Sequence, residues 1–397
     1  MVSQRVCVTG FGLVSPAGSE ATEVWEKLQS ERPWTTTIDA SRFAPFLYHR
    51  EAAFDASTQI KTRTHIRSMG RAQLNGTHAA GLALQSAGIK DDAELLARTE
   101  LLVACSAGDN DVEIDTSILA GAANHVDEKR ERLDIFLNAR LMGMRPSLYL
   151  NQLPNLFAAN ISICYGVIGS SLTFIGDEVA GMNAVNTGYQ RIKAGQSDIV
   201  LVGGVSEGAR LHYLESFAAK EELLEGDFVE IWERQNDRTC FGNGAGFLVL
   251  ESEAHARRRG ADIKCFLSGL ELSHAPRSKA SAPHQTRRLV ERMPLSGSAL
   301  AQVITCSNVS RATLAEEESF WVERTPNYQN ICNVVGGMLE AALPMSLALG
   351  ALSLQRKATL PPVSTRHERA KRRENPGQLV IACWGRSRGE SVALLEA

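Results

Sequence analysis

Residues 171–206, SLTFIGDEVAGMNAVNTGYQRIKAGQSDIVLVGGVS, decide the fold class. Ser171–Ile175 reads as a short strand that stops at Gly176. Met182, Val185, Tyr189 and Ile192 then fall at i, i+3, i+7 and i+10, which predicts an amphipathic helix over Val179–Ala194. Ile199–Val202 is a continuous apolar run opening into Gly203-Gly204, the pattern of a buried strand. Strand, helix and buried strand in succession mean α/β, with sheets enclosed between helical layers.

The alternation extends both ways. Upstream, strands are expected at Arg5–Thr9 and Glu100–Ala104, with helices at Ala21–Gln29, Ala72–Ala87 and Pro154–Ile163. Between them runs a long excursion, 108–145, whose charged stretch Asp127–Arg132 reads as a solvated helix face. Downstream, Gly242–Gly246 reads as a glycine-rich turn into the strand Phe247–Leu250. The polar stretch 252–262, SEAHARRRGAD, places a boundary between an N-terminal half, 1–252, and a C-terminal half, 253–397. The second half repeats the pattern: strands at Ile263–Leu272, Gln302–Cys306, Gln378–Cys383 and Ser391–Leu395, and helices at Ser281–Arg292 and Leu314–Glu323. Each half opens on a strand, carries a central helix and closes on strands, which suggests an internal duplication.

Composition narrows the function. The chain of 397 residues is 44% hydrophobic and 22% charged, so it is neither disordered nor collagen-like. Its 42 Lys+Arg against 45 Asp+Glu give a net charge of −3, without the basic excess of a nucleic-acid binder. Eight cysteines and nine histidines are the inventory of a Cys/His enzyme or a metal site. The spacing shows no CxxC, however, so no metal or redox motif is expected, and the apolar neighbours of the cysteines predict reduced, buried thiols. The N-terminus lacks a long apolar run. Residues 336–354, GGMLEAALPMSLALGALSL, hold Glu340 and Pro344 and are expected to form a buried helix rather than a membrane span. These features predict a cytoplasmic protein.

Several segments together resemble the 3-oxoacyl-ACP synthase II type of ketosynthase, in the thiolase superfamily: 5–18 (RVCVTGFGLVSPAG), 154–165 (PNLFAANISICY), 187–206 (TGYQRIKAGQSDIVLVGGVS) and 242–260 (GNGAGFLVLESEAHARRRG). The resemblance implies a five-layered α-β-α-β-α fold, internally duplicated and working as a dimer without a cofactor. It also implies a nucleophilic cysteine at a helix N-terminus, where the dipole favours a thiolate. Backbone N–H groups form an oxyanion hole there, and two histidines assist decarboxylation of malonyl-ACP.

The matching positions carry other residues. The cysteine position falls on Glu178, the first histidine on Ser307, the motif lysine on Cys332 and the second histidine on Gly337. The acid after the first histidine matches Glu318. The C-terminal glycine-rich loop has become Trp384-Gly385-Arg386-Ser387-Arg388-Gly389. A carboxylate that attacked a thioester would give a mixed anhydride, higher in energy than the thioester, so Glu178 cannot hold an acyl chain as cysteine does. It is expected instead to occupy the oxyanion donors or to meet Arg311 or Arg386. The resemblance thus implies a chain-length-factor-like subunit that pairs with an active ketosynthase in a type II polyketide, aryl-polyene or fatty-acid system. In that fold the dimer interface lies beside the strand before the nucleophile, so Leu172 and Phe174 are candidates for shaping the acyl tunnel. Two alternatives stand beside it. One is an acyl-processing enzyme that uses Glu178 as base or nucleophile. The other is a homodimeric scaffold that binds acidic acyl carrier protein through Arg257–Arg259 and Arg366–Arg373.

Overall fold

The computed structural model describes residues 3–30, 37–106, 112–123, 130–143, 150, 152–278, 281–295, 300–325, 327–364 and 372–397. Ten strands carry the architecture. In the first half they are β1 (Val6–Val14), β2 (Glu100–Cys105), β3 (Ser171–Ile175), β4 (Ile199–Glu207) and β5 (Phe241–Ser252). In the second they are β6 (Cys265–Pro276), β7 (Leu300–Thr305), β8 (Tyr328–Asn330), β9 (Gln378–Trp384) and β10 (Arg388–Glu396). Their spatial order is β8-β7-β9-β10-β6-β1-β5-β4-β2-β3.

That order is one pattern written twice. From the middle outward each half runs first, fifth, fourth, second and third strand. The pairing senses agree too: β1/β5 and β5/β4 are antiparallel, β4/β2 and β2/β3 parallel. Likewise β6/β10 and β10/β9 are antiparallel, β9/β7 and β7/β8 parallel. The halves meet through β1 and β6 at Cys7↔Phe266 and Val8↔Cys265.

The helices that matter are α1 (Ala21–Leu28), α2 (Arg71–Ser86), α3 (Asn155–Tyr165), α4 (Glu178–Lys193), α5 (Leu211–Ala218), α6 (Ala282–Val290), α7 (Arg311–Val322) and α8 (Ala342–Gln355). Helices α4 and α8 pack on each other and on strands of both halves, so they form the middle layer. Helix α2 covers β1, β4 and β5 with α3 beside it, while α6 covers β6 and β10 with α7 beside it. The result is five layers, α-β-α-β-α, as expected. The middle layer explains the composition: α8 is buried from Ala342 to Leu354, which an apolar run of small residues and leucines permits. No described helix is long and apolar enough to cross a membrane.

Two expectations change, and a third is met where it is described, since residues 130–132 of the charged run are exposed on a helix. Gly242–Gly246 is not a turn but the start of β5. A Cβ on Gly242 would lie 1.7 Å from the Val335 carbonyl oxygen, and one on Gly246 would lie 2.7 Å from the Met345 nitrogen. The glycines let the strand press against the backbone around α8. The helix expected from Gly336 is interrupted, because a 3-10 turn at Leu339–Ala341 precedes α8 and Leu339 has φ 39°. Finally, the excursion 108–145 holds two helices, Val112–Ala123 and Arg130–Gly143, that pack on each other and expose Leu119 and Ile135. Its surface is therefore partly apolar, and residues 127–129 of the charged run lie outside the described residues.

All eight cysteines are free, and all but the half-buried Cys164 are buried. The histidines differ in their partners. His255 meets buried Glu251 at 2.7 Å and His49 meets Thr37 at 2.7 Å, whereas buried His78 has no partner at either ring nitrogen.

Candidate functional site

The site begins where β3 turns into α4. Gly176 takes φ 151°, a conformation that favours glycine, and Asp177 stands at the N-cap position without a side-chain capping bond. Glu178 is the first helical residue and is only 3% exposed. Its carboxyl feels its own backbone N–H, the backbone N–H of Arg386 and the Arg386 guanidinium, all of which favour its charged form. Burial and then the neighbouring Asp177 push its pKa up to about 7, against the pull of those N–H groups and of the Arg386 guanidinium. A helix N-terminus and a loop N–H aimed at one point make an anion site, and here a side chain of the protein fills it.

The loop that supplies the second donor is held from three sides. Arg277 donates to the carbonyl oxygens of Gly385 at 2.6 Å and Gly389 at 3.2 Å and also pairs with Glu390. Arg386 donates to Glu222 at 2.8 Å and to the Asp237 carbonyl at 3.0 Å. Trp384 donates its N–H to Ser307 Oγ at 2.9 Å. Of the two arginines suggested as partners of Glu178, Arg386 is therefore present. Arg311 is not: its N–H bonds Asp237 and its guanidinium bonds Gln235, because it begins α7 on the exposed side.

Ser307 is wholly buried and donates to Glu317 Oε1 at 2.7 Å. The acid serving it is thus Glu317 and not Glu318, since only Glu317 lies on the buried face of α7. Burial raises Glu317 to about 8. At Gly337 a Cβ would stand 2.1 Å from Asn308 Nδ2, so the Asn308 amide takes the space that a larger residue would need. Thr239 donates to Asn308 Oδ1 at 2.5 Å and holds it there. Cys332 is buried with its sulfur 3.7 Å from that of Cys306, and burial raises its thiol well above the ordinary range. It supplies no cation.

Five residues of this centre, Arg210, Tyr213, Asn308, Glu317 and Glu340, were not singled out from the sequence for it. Tyr213 donates to Asp177 at 3.3 Å, and Arg210 stands 3.9 Å from Glu340. Glu340 is 2% exposed, and burial raises it to about 8. The signal for it was present: it is the lone acid in the apolar run 336–354. Among the described residues no imidazole contacts Glu178, Ser307 or Gly337, and no group of side chains could hold a metal ion.

The tunnel candidates diverge. β3 is an edge strand that pairs only with β2 among the described strands. Leu172 on it is exposed at 38%, whereas Phe174 is half-buried and packs on the central core. Ile175, Ile163 and Ile168 are exposed nearby in sequence. Of the basic clusters, Arg259 is held by buried Glu251, whereas Arg257, paired with Glu253, and Arg258 remain exposed. Residues 365–371 of the second lie outside the described residues.

Two duplicated five-stranded halves around a pair of buried helices, with a filled anion site at one helix N-terminus, define a thiolase-like α/β protein. A family model described as β-ketoacyl synthase, N-terminal domain, matches residues 3–256, and the chain belongs to that family. A 3-oxoacyl-[acyl-carrier-protein] synthase 2 from Vibrio harveyi is 25% identical over 281 residues, covering 69% of this chain and 64% of that protein. A putative polyketide beta-ketoacyl synthase 1 from Streptomyces halstedii is 28% identical over 278 residues, covering 68% and 63%. The matches thus span less than two thirds of those relatives. Solved structures share the fold throughout. A beta-ketoacyl synthase from Burkholderia phymatum has a TM-score of 0.78 at 19% identity, over 99% of both chains. The ishigamide ketosynthase/chain length factor has a TM-score of 0.77 at 19% identity, over 100% of both.

Proposed function

We propose that this chain is a non-catalytic, chain-length-factor-like ketosynthase subunit. It pairs with an active ketosynthase during cytoplasmic polyketide, aryl-polyene or fatty-acid chain elongation, and the partner supplies the cysteine and histidines. The observation that carries this reading is the buried Glu178 carboxyl at the N-terminus of α4, under the pull of the backbone N–H groups of Glu178 and Arg386. Those donors are the ones that would stabilise a developing oxyanion, and a resident carboxyl denies them to a thioester. The residues at 307, 332 and 337 fit the same reading, since none supplies an imidazole or an ammonium group.

The partner sits against the free edge of β3, with Leu172 and Ile175 as its apolar contacts. Phe174, lying behind that edge, acts as the rear wall of the acyl tunnel. The halves 1–252 and 253–397 stay together as one body, and acyl carrier protein docks chiefly on the partner. A second reading, Glu178 as a general base, is favoured by its pKa near 7, the range that suits base catalysis.

Co-expression with a full-triad ketosynthase, followed by loading with acyl-ACP and malonyl-ACP, separates the two. A heterodimer with acyl mass on the partner alone is expected. Acyl mass on this chain, or turnover by it alone, overturns the subunit reading.

A further inference from the structure

A second buried acid lies beside Glu178, and the chemistry described above leaves it without a role. Glu340 sits in the 3-10 turn before α8, next to Leu339 with its φ of 39°. The backbone there is pressed into the centre of the molecule. A Cβ on Gly181 of α4 or on Gly204 of β4 would each lie 2.2 Å from the Glu340 carbonyl oxygen. The side chain Oε1 is 3.9 Å from Arg210 Nη2, and Oε2 has no hydrogen-bond partner. Arg210 is equally enclosed: both side chains are at most 4% exposed. Its Nε donates to the Glu207 carbonyl at 2.9 Å, and its guanidinium lies 5.2 Å from the Tyr213 ring centre. Cys105, at the end of β2, feels both charges and has its thiol raised to about 12, first by burial and then by Glu340.

We infer that the Arg210–Glu340 pair closes the interior beside Glu178 to acyl chains and so directs any acyl chain to the partner's side of β3. This deepens the subunit reading and rests on it. An alkyl chain gains free energy only against apolar walls. In this space it would meet a guanidinium and a carboxyl, and wedging them apart would leave two buried polar groups without each other, which is costly. The pair is therefore a specificity determinant.

The test uses the full-length chain and a neutral probe, dodecanoyl-pantetheine carrying a diazirine at the chain end. After irradiation, labelled peptides are mapped by mass spectrometry. The wild type is expected to carry no label in segments 100–105, 178–182, 204–214 and 338–342. The apolar variant R210M/E340L is expected to gain at least about tenfold more label there, the signature of ~1.4 kcal/mol of added affinity. If that variant does not fold, R210M/E340M, whose methionine keeps the length of residue 340 without a polar end, takes its place with the same expected gain. Light-dependent label in those segments of the wild type would overturn the closed interior, as would a folded variant that stays unlabelled. Acyl mass retained without irradiation counts instead against the subunit reading, so the two failures are distinguishable.

Discussion

The buried carboxyl of Glu178, in the first turn of α4, feels both the backbone N–H and the guanidinium of Arg386, in the loop between β9 and β10. A residue from each half of the duplicated fold thus acts on one buried point. The acid at that point is one that burial would rather keep neutral.

The first expectation follows from that tension. The pKa of Glu178 is raised to about 7 in the folded chain, against about 4.5 for an ordinary glutamate. The folded state then binds the proton more tightly than the unfolded state. The stabilisation is complete below the unfolded pKa and is lost as pH rises through the folded one. Glu178→Gln should accordingly change stability little at pH 5 and raise it by about 1–3 kcal/mol at pH 8. Denaturant melts at the two pH values check it, and equal effects at both would reject the buried-acid account. Glu317 and Glu340, both raised to about 8, should add to the same alkaline loss in the wild type.

Arg277 should matter more to this loop than any residue within it. It pairs with fully buried Glu390 and holds two carbonyl oxygens of the turn. Arg277→Ala leaves Glu390 buried without its cation, and removing one member of such a pair costs about 3–5 kcal/mol. Arg277→Lys should recover part of it, because a point charge cannot fork to both carbonyls. Urea unfolding of the three proteins orders them.

The free edge of β3 gives a prediction about assembly. Leu172 and Ile175 are exposed, so charges there cost the isolated chain little, about 0.5 kcal/mol or less. Facing a partner they would be desolvated. L172E/I175E should therefore melt like the wild type and fail to co-purify with an active ketosynthase. Retained co-purification would move the interface elsewhere.

The fold was legible because α/β alternation leaves its mark in hydrophobic periodicity. The run Met182, Val185, Tyr189, Ile192 did become the buried face of α4. Ends of elements were less legible where packing overrides local propensity. Gly242 and Gly246 look like turn residues, and only the backbone pressed against them makes them strand. At the site, motif spacing brought Glu178, Ser307 and Gly337 to attention, and the structure gives each a definite neighbour. It gave no access to Arg210, at the start of α5, or to Asn308, although Asn308 directly follows Ser307. Spacing also chose Glu318 over Glu317, a one-residue difference that only the helical face of α7 resolves.

On the subunit reading, a thiol at position 178 alone should not confer condensing chemistry. In Glu178→Cys the helix N-terminus and the Arg386 N–H become free to lower a thiol pKa and receive an oxyanion, so acylation by a reactive thioester becomes feasible. Decarboxylation needs more. Developing enolate charge must be met by donors where Ser307 and Gly337 stand, yet Ser307 Oγ already gives its hydrogen to Glu317, and Asn308 fills the space over Gly337. Losing one oxyanion donor typically costs ~10²–10³ in rate, and here two positions are empty of imidazole. The variant alone should therefore take an acyl group from acyl-ACP and release no carbon dioxide from malonyl-ACP. Mass spectrometry of the intact chain reads the first and trapping of labelled carbon dioxide reads the second. Condensation by this single variant without a partner would show that the positions at 307 and 337 are not what silences the centre.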